Sequence, residues 1–357
     1  MKRITFLLAS LLVSCFTVCM AQTELSKYQP GVTAEGAIYY LPKTALNFLV
    51  QVEKTTYTPG DYAPYAERYL ALRGVKGEKN VSYRVANVLM QTVGVADTAK
   101  CFAVKFNAKS TASNMELADD GVLLALNSQG IRQERPRHFS PAPKPQALNP
   151  RQFLNEEILA AGSMTKRAEL IAQEIYNIRE SKNQLTRGEA DYMPKDGEQL
   201  RIMLSQLDSQ EQALTQLFTG VTECDTTEYI IQTCPMTAVQ DMVLFRLSQH
   251  LGIVNADDLS GDPYYLTVED LHTVPAPIET KKKKKLEEEG IYVNIPGRIK
   301  VTLTNHGREL YRDEFTAGQF GTVELLSAEL FNKRYTTHLR LNPVNGGVEM
   351  IEAEQAK

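Results

Sequence analysis

The chain has 357 residues, a formal net charge of −4, no tryptophan, five histidines and five cysteines. Its charges are spread without a dominant basic face, which argues against nucleic acid as a partner. Beyond the first 21 residues no run approaches about 18 consecutive apolar residues and the end is polar, so neither a membrane helix nor an outer-membrane barrel is expected.

The chain opens as an export signal does. Lys2 and Arg3 make a short basic region, Ile4 to Val18 is almost uninterruptedly apolar, and Cys19-Met20-Ala21 places small residues where a signal peptidase inspects the chain. Residues 1–21 therefore read as a signal peptide, and cleavage after Ala21 would leave Gln22 first. Loss of Lys2 and Arg3 with the leader takes the net charge from −4 to −6. A rival signal is Leu12-Val13-Ser14-Cys15, which resembles a lipobox with Cys15 as the lipidated residue. The apolar run continues past Cys15 to Met20, which favours ordinary cleavage. Both readings send the protein to the periplasm or cell envelope.

Leu46, Phe48, Val50 and Val52 alternate with Asn47, Leu49 and Gln51, as in a strand with one apolar and one mixed face. Thr58-Pro59-Gly60-Asp61 then marks a turn and the start of a helix that Gly74 would end. Val81 to Val93 and Cys101 to Phe106 read as a hairpin whose tip spans Gly94 to Lys100. Asp120-Gly121 is a tight-turn signal between Met115-Glu116-Leu117 and Val122 to Leu126. From Arg132 to Pro150 the composition shifts to Arg, Pro, Ser and Gln, as in a linker or surface crossing.

The period then becomes helical. Ala168, Ile171, Ile175 and Ile178 share one stripe, and Lys166, Glu169, Glu174 and Arg179 lie off it. A second helix carries Leu200, Met203, Leu204, Leu207, Leu214 and Leu217, with Gly220 at its end. Two apolar stripes and a short loop predict an antiparallel helical hairpin. After Gly220, strands are expected near Thr226–Thr233, Met242–Leu247, Tyr264–Val268, Ile291–Ile295, Arg298–Thr304 and Thr337–Leu341. Turns fall at Asn305-His306-Gly307 and Asn345-Gly346-Gly347.

Together these elements predict an α+β fold in which the helical hairpin (153–220) bridges two β-rich regions. The first, 22–131, carries one short helix and is followed by a Pro-rich linker over 132–152. The second, 221–357, is antiparallel and sandwich-like. Cys101, Cys224 and Cys234 remain after leader removal. Cys224 and Cys234 flank one apparent strand, which at about 3.3 Å per residue holds them beyond bridging distance.

Four segments carry a resemblance: Thr58-Pro59-Gly60-Asp61-Tyr62-Ala63-Pro64-Tyr65-Ala66-Glu67-Arg68-Tyr69-Leu70, the helix end Leu217-Phe218-Thr219-Gly220, Ser260-Gly261-Asp262-Pro263-Tyr264-Tyr265-Leu266, and Gln319-Phe320-Gly321-Thr322-Val323. They resemble an exported family of Bacteroidota known only as a domain of unknown function. The resemblance implies one inherited unit over nearly the whole mature chain and brings no activity with it. Asp97-Thr98-Ala99 and Asp225-Thr226-Thr227 also resemble periplasmic O-glycosylation acceptors of that phylum, which makes Thr98 and Thr226 candidate sites.

Every catalytic motif tested stands alone. Ser163-Met164-Thr165-Lys166 matches the S-x-x-K of serine acyl-transferases, but no K-T-G strand accompanies it, and Ser163 reads as a helix cap. His138, His250, His272, His306 and His338 are scattered without ligand spacing. Asn255 to Asp262 is acidic, yet Leu259 sits where a calcium loop needs oxygen. Tyr62, Tyr65 and Tyr69 could form an aromatic platform for a sugar or peptide, although that spacing equally describes a buried helix face. Lys281 to Lys285 and the glutamates after them read as a solvated excursion. With no catalytic, metal or cofactor residue identified, the expectation is a non-enzymatic structural or interaction protein whose partner is an envelope protein or glycan. A hydrolase assembled from separate strands and a glycan-binding module are the alternatives.

Overall fold

The computed structural model describes residues 32–33, 36–104, 114–140, 148–194, 196–275, 290–331 and 335–355. The leader with Cys15, Pro141 to Pro145 and the lysine run Lys281 to Lys285 lie outside the described residues. Within them the chain is mostly β, and its strand ladders are antiparallel.

Three sheets form. In the first, β2 (Gly36–Thr58) pairs along one edge with β3 (Asn80–Val104) and along the other with β1 (Val32–Thr33) and β6 (Val221–Thr233). The second has the order β11 (Arg308–Ser327), β10 (Gly290–Asn305), β9 (Asp262–Asp270), β7 (Val239–Ser248), β8 (Gly252–Val254). The third runs β13 (Val348–Gln355), β12 (Tyr335–Leu341), β5 (Leu123–Leu126), β4 (Met115–Leu117).

The two β-rich regions expected at 22–131 and 221–357 are therefore not separate sheets. β6 lies against β2 from Thr58↔Val221 to Leu46↔Thr233, and β12 joins β5 through Leu339↔Leu126. The physical reason is burial. The apolar face Leu46, Phe48, Val50 and Val52 is covered by Phe245, Leu266, Val301 and Leu303 from the second sheet, in one core. A second core gathers Tyr39, Leu41, Leu123, Ile291, Val293, Leu339 and Leu341. Strand patterning specifies that a face must be buried, not which distant strand buries it.

Both β2 and β10 run from one core into the other, and each changes register at a proline. Across the first change Tyr40 pairs with Cys101 and Pro42 with Ala96, so four residues of β3, Asp97 to Lys100, stand opposite Leu41. The expected hairpin tip at Gly94 to Lys100 is thus a wide bulge inside a continuous 25-residue strand. In β10, Ile295 pairs with Thr322 and Gly297 with Ala317, leaving Gly318 to Gly321 opposite Pro296. Proline cannot donate to the ladder, and an unpaired step is where extra residues bulge out. The burial phase of β2 also reverses there, from Ala37, Tyr39 and Leu41 to Leu46, Phe48 and Val50. The strands expected at Ile291–Ile295 and Arg298–Thr304 are likewise one element, β10, interrupted by the same change of register.

Four α-helices are described: α1 (Ala66–Leu70, after a 3-10 turn at Ala63–Tyr65), α2 (Glu156–Ala160), α3 (Met164–Arg187) and α4 (Gly197–Thr219). α1 ends at Ala71 in the left-handed region, three residues before the expected stop at Gly74. The α3 stripe Ala168, Ile171, Ile175 and Ile178 is buried and shares a third core with Leu214 and Phe218 of α4 and with Tyr62, Ala66 and Leu70. Of the stripe expected on α4, Leu214 is fully buried, whereas Leu200, Met203, Leu204, Leu207 and Leu217 are half-buried. Ala213 and Phe218 are the buried positions that pattern reading missed. Arg179 pairs with Glu211, and Lys182 with Glu211 and Asp208, across the two helices. Burial pushes the Glu211 pKa up, but hydrogen bonds from Arg179 and Lys182 outweigh it and leave the carboxyl below its ordinary value.

Two of the family-like segments meet at the foot of α4. The Tyr62 amide donates to Leu217 O at 2.9 Å, and a Cβ at Gly60 would stand 2.2 Å from that same oxygen. Only a glycine permits this approach.

Candidate functional site

Four buried polar side chains, Thr44, Asp97, Asn294 and Asn345, gather where the two proline-centred bulges face each other and the third sheet's β12–β13 turn closes over them. Thr44, on β2 just past Pro42, is fully buried. Its amide donates to Gln319 Oε1 (2.8 Å) and its carbonyl accepts from Gln319 Nε2 (2.8 Å), a side chain imitating a neighbouring strand. Its hydroxyl donates to Val344 O (3.1 Å) and accepts from the Gly318 amide (3.3 Å). One residue therefore ties the first two sheets to the turn of the third.

Asn294 of β10 is the second hub, with no exposed surface. Its Nδ2 donates to Pro42 O and to Asn345 O, each at 2.9 Å. Both partners are carbonyls that can only accept, which fixes the amide orientation and leaves Oδ1 free to accept from Lys100 Nζ at 3.4 Å. Lys100 Nζ also reaches Gly318 O at 3.4 Å. Asn345 completes the turn by donating to Thr316 Oγ1 (2.8 Å) and accepting from the Gly347 amide (2.9 Å). Gly318 is packed so tightly that a Cβ would lie 2.6 Å from Asn294 Nδ2 and 2.6 Å from Asn345 O.

The bulge in β3 supplies the charges. Asp97, 4% exposed, turns inward and accepts from the Ala99 amide (3.1 Å). Lys100, three residues on, is half-buried, and burial lowers its pKa while the charge of Asp97 opposes that shift. Cys234 lies alongside, its thiol 3.7 Å from Thr44 O and pushed to higher pKa by burial. The cluster thus brings a half-buried amine near a buried carboxamide and a buried carboxylate.

Sequence reasoning did not find Lys100, Asn294, Thr44, Gln319 or Asn345 as a group, because they come from five separate segments. One signal was available. Gly36-Ala-Ile-Tyr-Tyr-Leu-Pro42 and Gly290-Ile-Tyr-Val-Asn-Ile-Pro296 share the spacing Gly-x5-Pro, and these are the stretches of β2 and β10 that lead into the two bulges.

The residues singled out from sequence lie elsewhere. Tyr62 is buried against Phe218, with ring centroids 5.8 Å apart. Tyr65 and Tyr69 are half-buried, 6.2 Å apart, and pack on the helical core. All three tyrosines thus contribute packing to the helical core, Tyr62 fully and the other two in part. Thr98 is exposed on the β3 bulge and Thr226 is exposed on β6 opposite Glu53. Ser163 caps α3, accepting from the Lys166 amide (3.2 Å), while Lys166 Nζ bonds Glu169. The acidic loop is tied down by Arg246, which donates to Ala256 O (2.7 Å) and Gly261 O (3.0 Å). Cys101, Cys224 and Cys234 are free thiols. Among the described residues, no group of three or more His, Cys, Asp or Glu side chains converges as a metal-binding set, and no helix is long and apolar enough to cross a membrane.

Residues 35–349 match the family described as "Domain of unknown function (DUF4831)", and the chain belongs to that family. No curated protein and no solved structure matches it.

Proposed function

We propose that this member of the family is an exported protein of the bacterial cell envelope, of the kind found in Bacteroidota, with a structural or interaction role rather than a catalytic one. In this reading the leader is removed after Ala21, α3 and α4 form an antiparallel hairpin set against the sheets, and the C-terminal strands make a sandwich-like half. The observation that carries the role is where the buried polar groups end. Thr44, Asn294 and Gln319 bond mainly to backbone groups of neighbouring strands, joining sheets, instead of converging on an open cleft.

An apolar row supports the interaction reading. Leu49 pairs with Leu89 on one side and Ile230 on the other, making an apolar row across three strands. Leu89 is 42% and Ile230 54% exposed. β6 pairs with β2 along one edge, and an outer strand edge of this kind is suited to accept a further strand. We place an envelope protein there. Thr98 and Thr226, both exposed, are the O-glycosylation positions of this reading, and Cys15 is the lipidation site if the leader is processed as a lipoprotein.

Cell fractionation with terminal mass analysis tests placement: envelope recovery with Gln22 first is expected, and cytoplasmic recovery with the leader intact refutes it. Cross-linking in intact cells, comparing wild type with Leu89→Asp and Ile230→Asp, tests the role. A defined envelope adduct lost in both variants is expected, and adducts unchanged by both refute the assigned face.

A further inference from the structure

An amine, a carboxamide and a buried carboxylate are the three groups from which an amide cross-link can be made without any outside reagent. We propose that Lys100 and Asn294 join in an intramolecular isopeptide bond, tying β3 of the first sheet to β10 of the second, with Asp97 moving the proton.

The geometry suits that reaction. Lys100 Nζ is 3.4 Å from Asn294 Oδ1, the oxygen bonded to the Cγ that the amine attacks, so the two reacting groups are already held together. Asn294 cannot swing away, because Nδ2 is held by Pro42 O and Asn345 O, and its backbone amide donates to Gly346 O at 3.2 Å. The same two carbonyls grip the nitrogen that must leave. Attack requires the neutral amine, and burial already disfavours the ammonium form of Lys100. Asp97 is the charged group that acts on Lys100. Asn294 has no exposed surface and Asp97 only 4%, so water is kept from the carbon that the amine attacks.

The atoms balance. The lone pair on Nζ forms a bond to Cγ of Asn294. One of the two amine protons passes to the Asp97 carboxylate and from it to Nδ2, the Cγ–Nδ2 bond breaks, and ammonia departs. The other proton remains on the new amide nitrogen, Asp97 returns to its starting state, and nothing is oxidised or reduced. The four-residue bulge is what makes this accessible: it sets Asp97 inward and carries Lys100 across to β10, which a regular ladder at this point would not do.

The test is the intact mass of the purified full chain under denaturing conditions, with peptide mapping. The expected result is a mass lower by one ammonia than the processed sequence with its amino terminus as mapped, Gln22 cyclised or not, and a branched peptide joining the Lys100 segment to the Asn294 segment. Lys100→Arg, which keeps the cation, should restore the full mass, as should Asn294→Ala and Asp97→Asn. A wild-type chain of full mass, whose Lys100 reacts with an amine reagent after unfolding, would overturn the proposal. So would an ammonia loss mapped without a branch to Asn345-Gly346, a sequence prone to succinimide formation. A cross-link that forms as readily in Asp97→Asn would remove Asp97 from the mechanism.

Discussion

Gly318→Ala probes the junction with a single methyl group. Gly318 sits in the β11 bulge, and the added Cβ would lie 2.6 Å from Asn294 Nδ2, 2.6 Å from Asn345 O and 2.9 Å from Pro42 O. Those atoms are the donor and the two acceptors of one hydrogen-bond pair set, each bond 2.9 Å long, so the methyl cannot be accommodated without separating them. Overpacking a filled site costs about 1 to 3 kcal/mol, and each buried polar group left unpaired costs about 1 to 3 kcal/mol more. A loss of about 3 to 6 kcal/mol is expected, a large share of the roughly 5 to 15 kcal/mol that holds a domain folded. Urea unfolding followed by circular dichroism reads it as a lower midpoint at unchanged slope. Gly77→Ala is the matched control: nothing lies within 4 Å of its Cβ position, and restricting the unfolded chain there should leave stability unchanged or raise it by about 0.4 to 1 kcal/mol. If Gly318→Ala unfolds within about 0.5 kcal/mol of wild type, the junction is not the rigid, fully bonded unit argued above.

Ile175→Ala empties a site with no exposed surface in the helical core; it should cost about 2 to 5 kcal/mol in thermal or chemical unfolding. Exposed Gln206→Ala should change stability by less than about 0.5 kcal/mol. Because the Glu211 carboxyl is held below its ordinary value of 4.5 by Arg179 and Lys182, its ionised form contributes stability at neutral pH. That contribution should fade as pH falls below about 4.5 toward the depressed folded value, so melting temperature should drop less across this window in Glu211→Gln than in wild type. Ser163→Ala removes the α3 cap and should cost about 1 kcal/mol, while labelled penicillin should leave Ser163 unmodified in the wild-type protein.

Local chemistry was legible in the sequence wherever neighbours along the chain decide it. The α3 stripe, the Ser163 cap, the turn at Asp120-Gly121, the His306-Gly307 hairpin and the alternation of Leu46 to Val52 all appear as read, because each depends on residues within a few positions. What failed depended on distance. Gly94 to Lys100 has the composition of a hairpin tip, yet it lies inside β3 as a bulge. Pro42, on another strand, opens the ladder opposite it, and the second sheet and the β12–β13 turn take up the polar groups that the opening exposes. The tyrosine stripe has the spacing of either a ligand platform or a packed face, and the sequence does not show that Phe218 arrives from α4 to pack on Tyr62. The same holds for the candidate site. Lys100, Asp97, Asn294 and Thr44 are ordinary polar residues in their own segments, and two cores, two bulges and a turn from a third sheet must assemble before an amine faces a buried amide. Periodicity along one chain records which faces must be buried, whereas the identity of the covering strand is a property of the whole packing, and here that packing creates the chemistry.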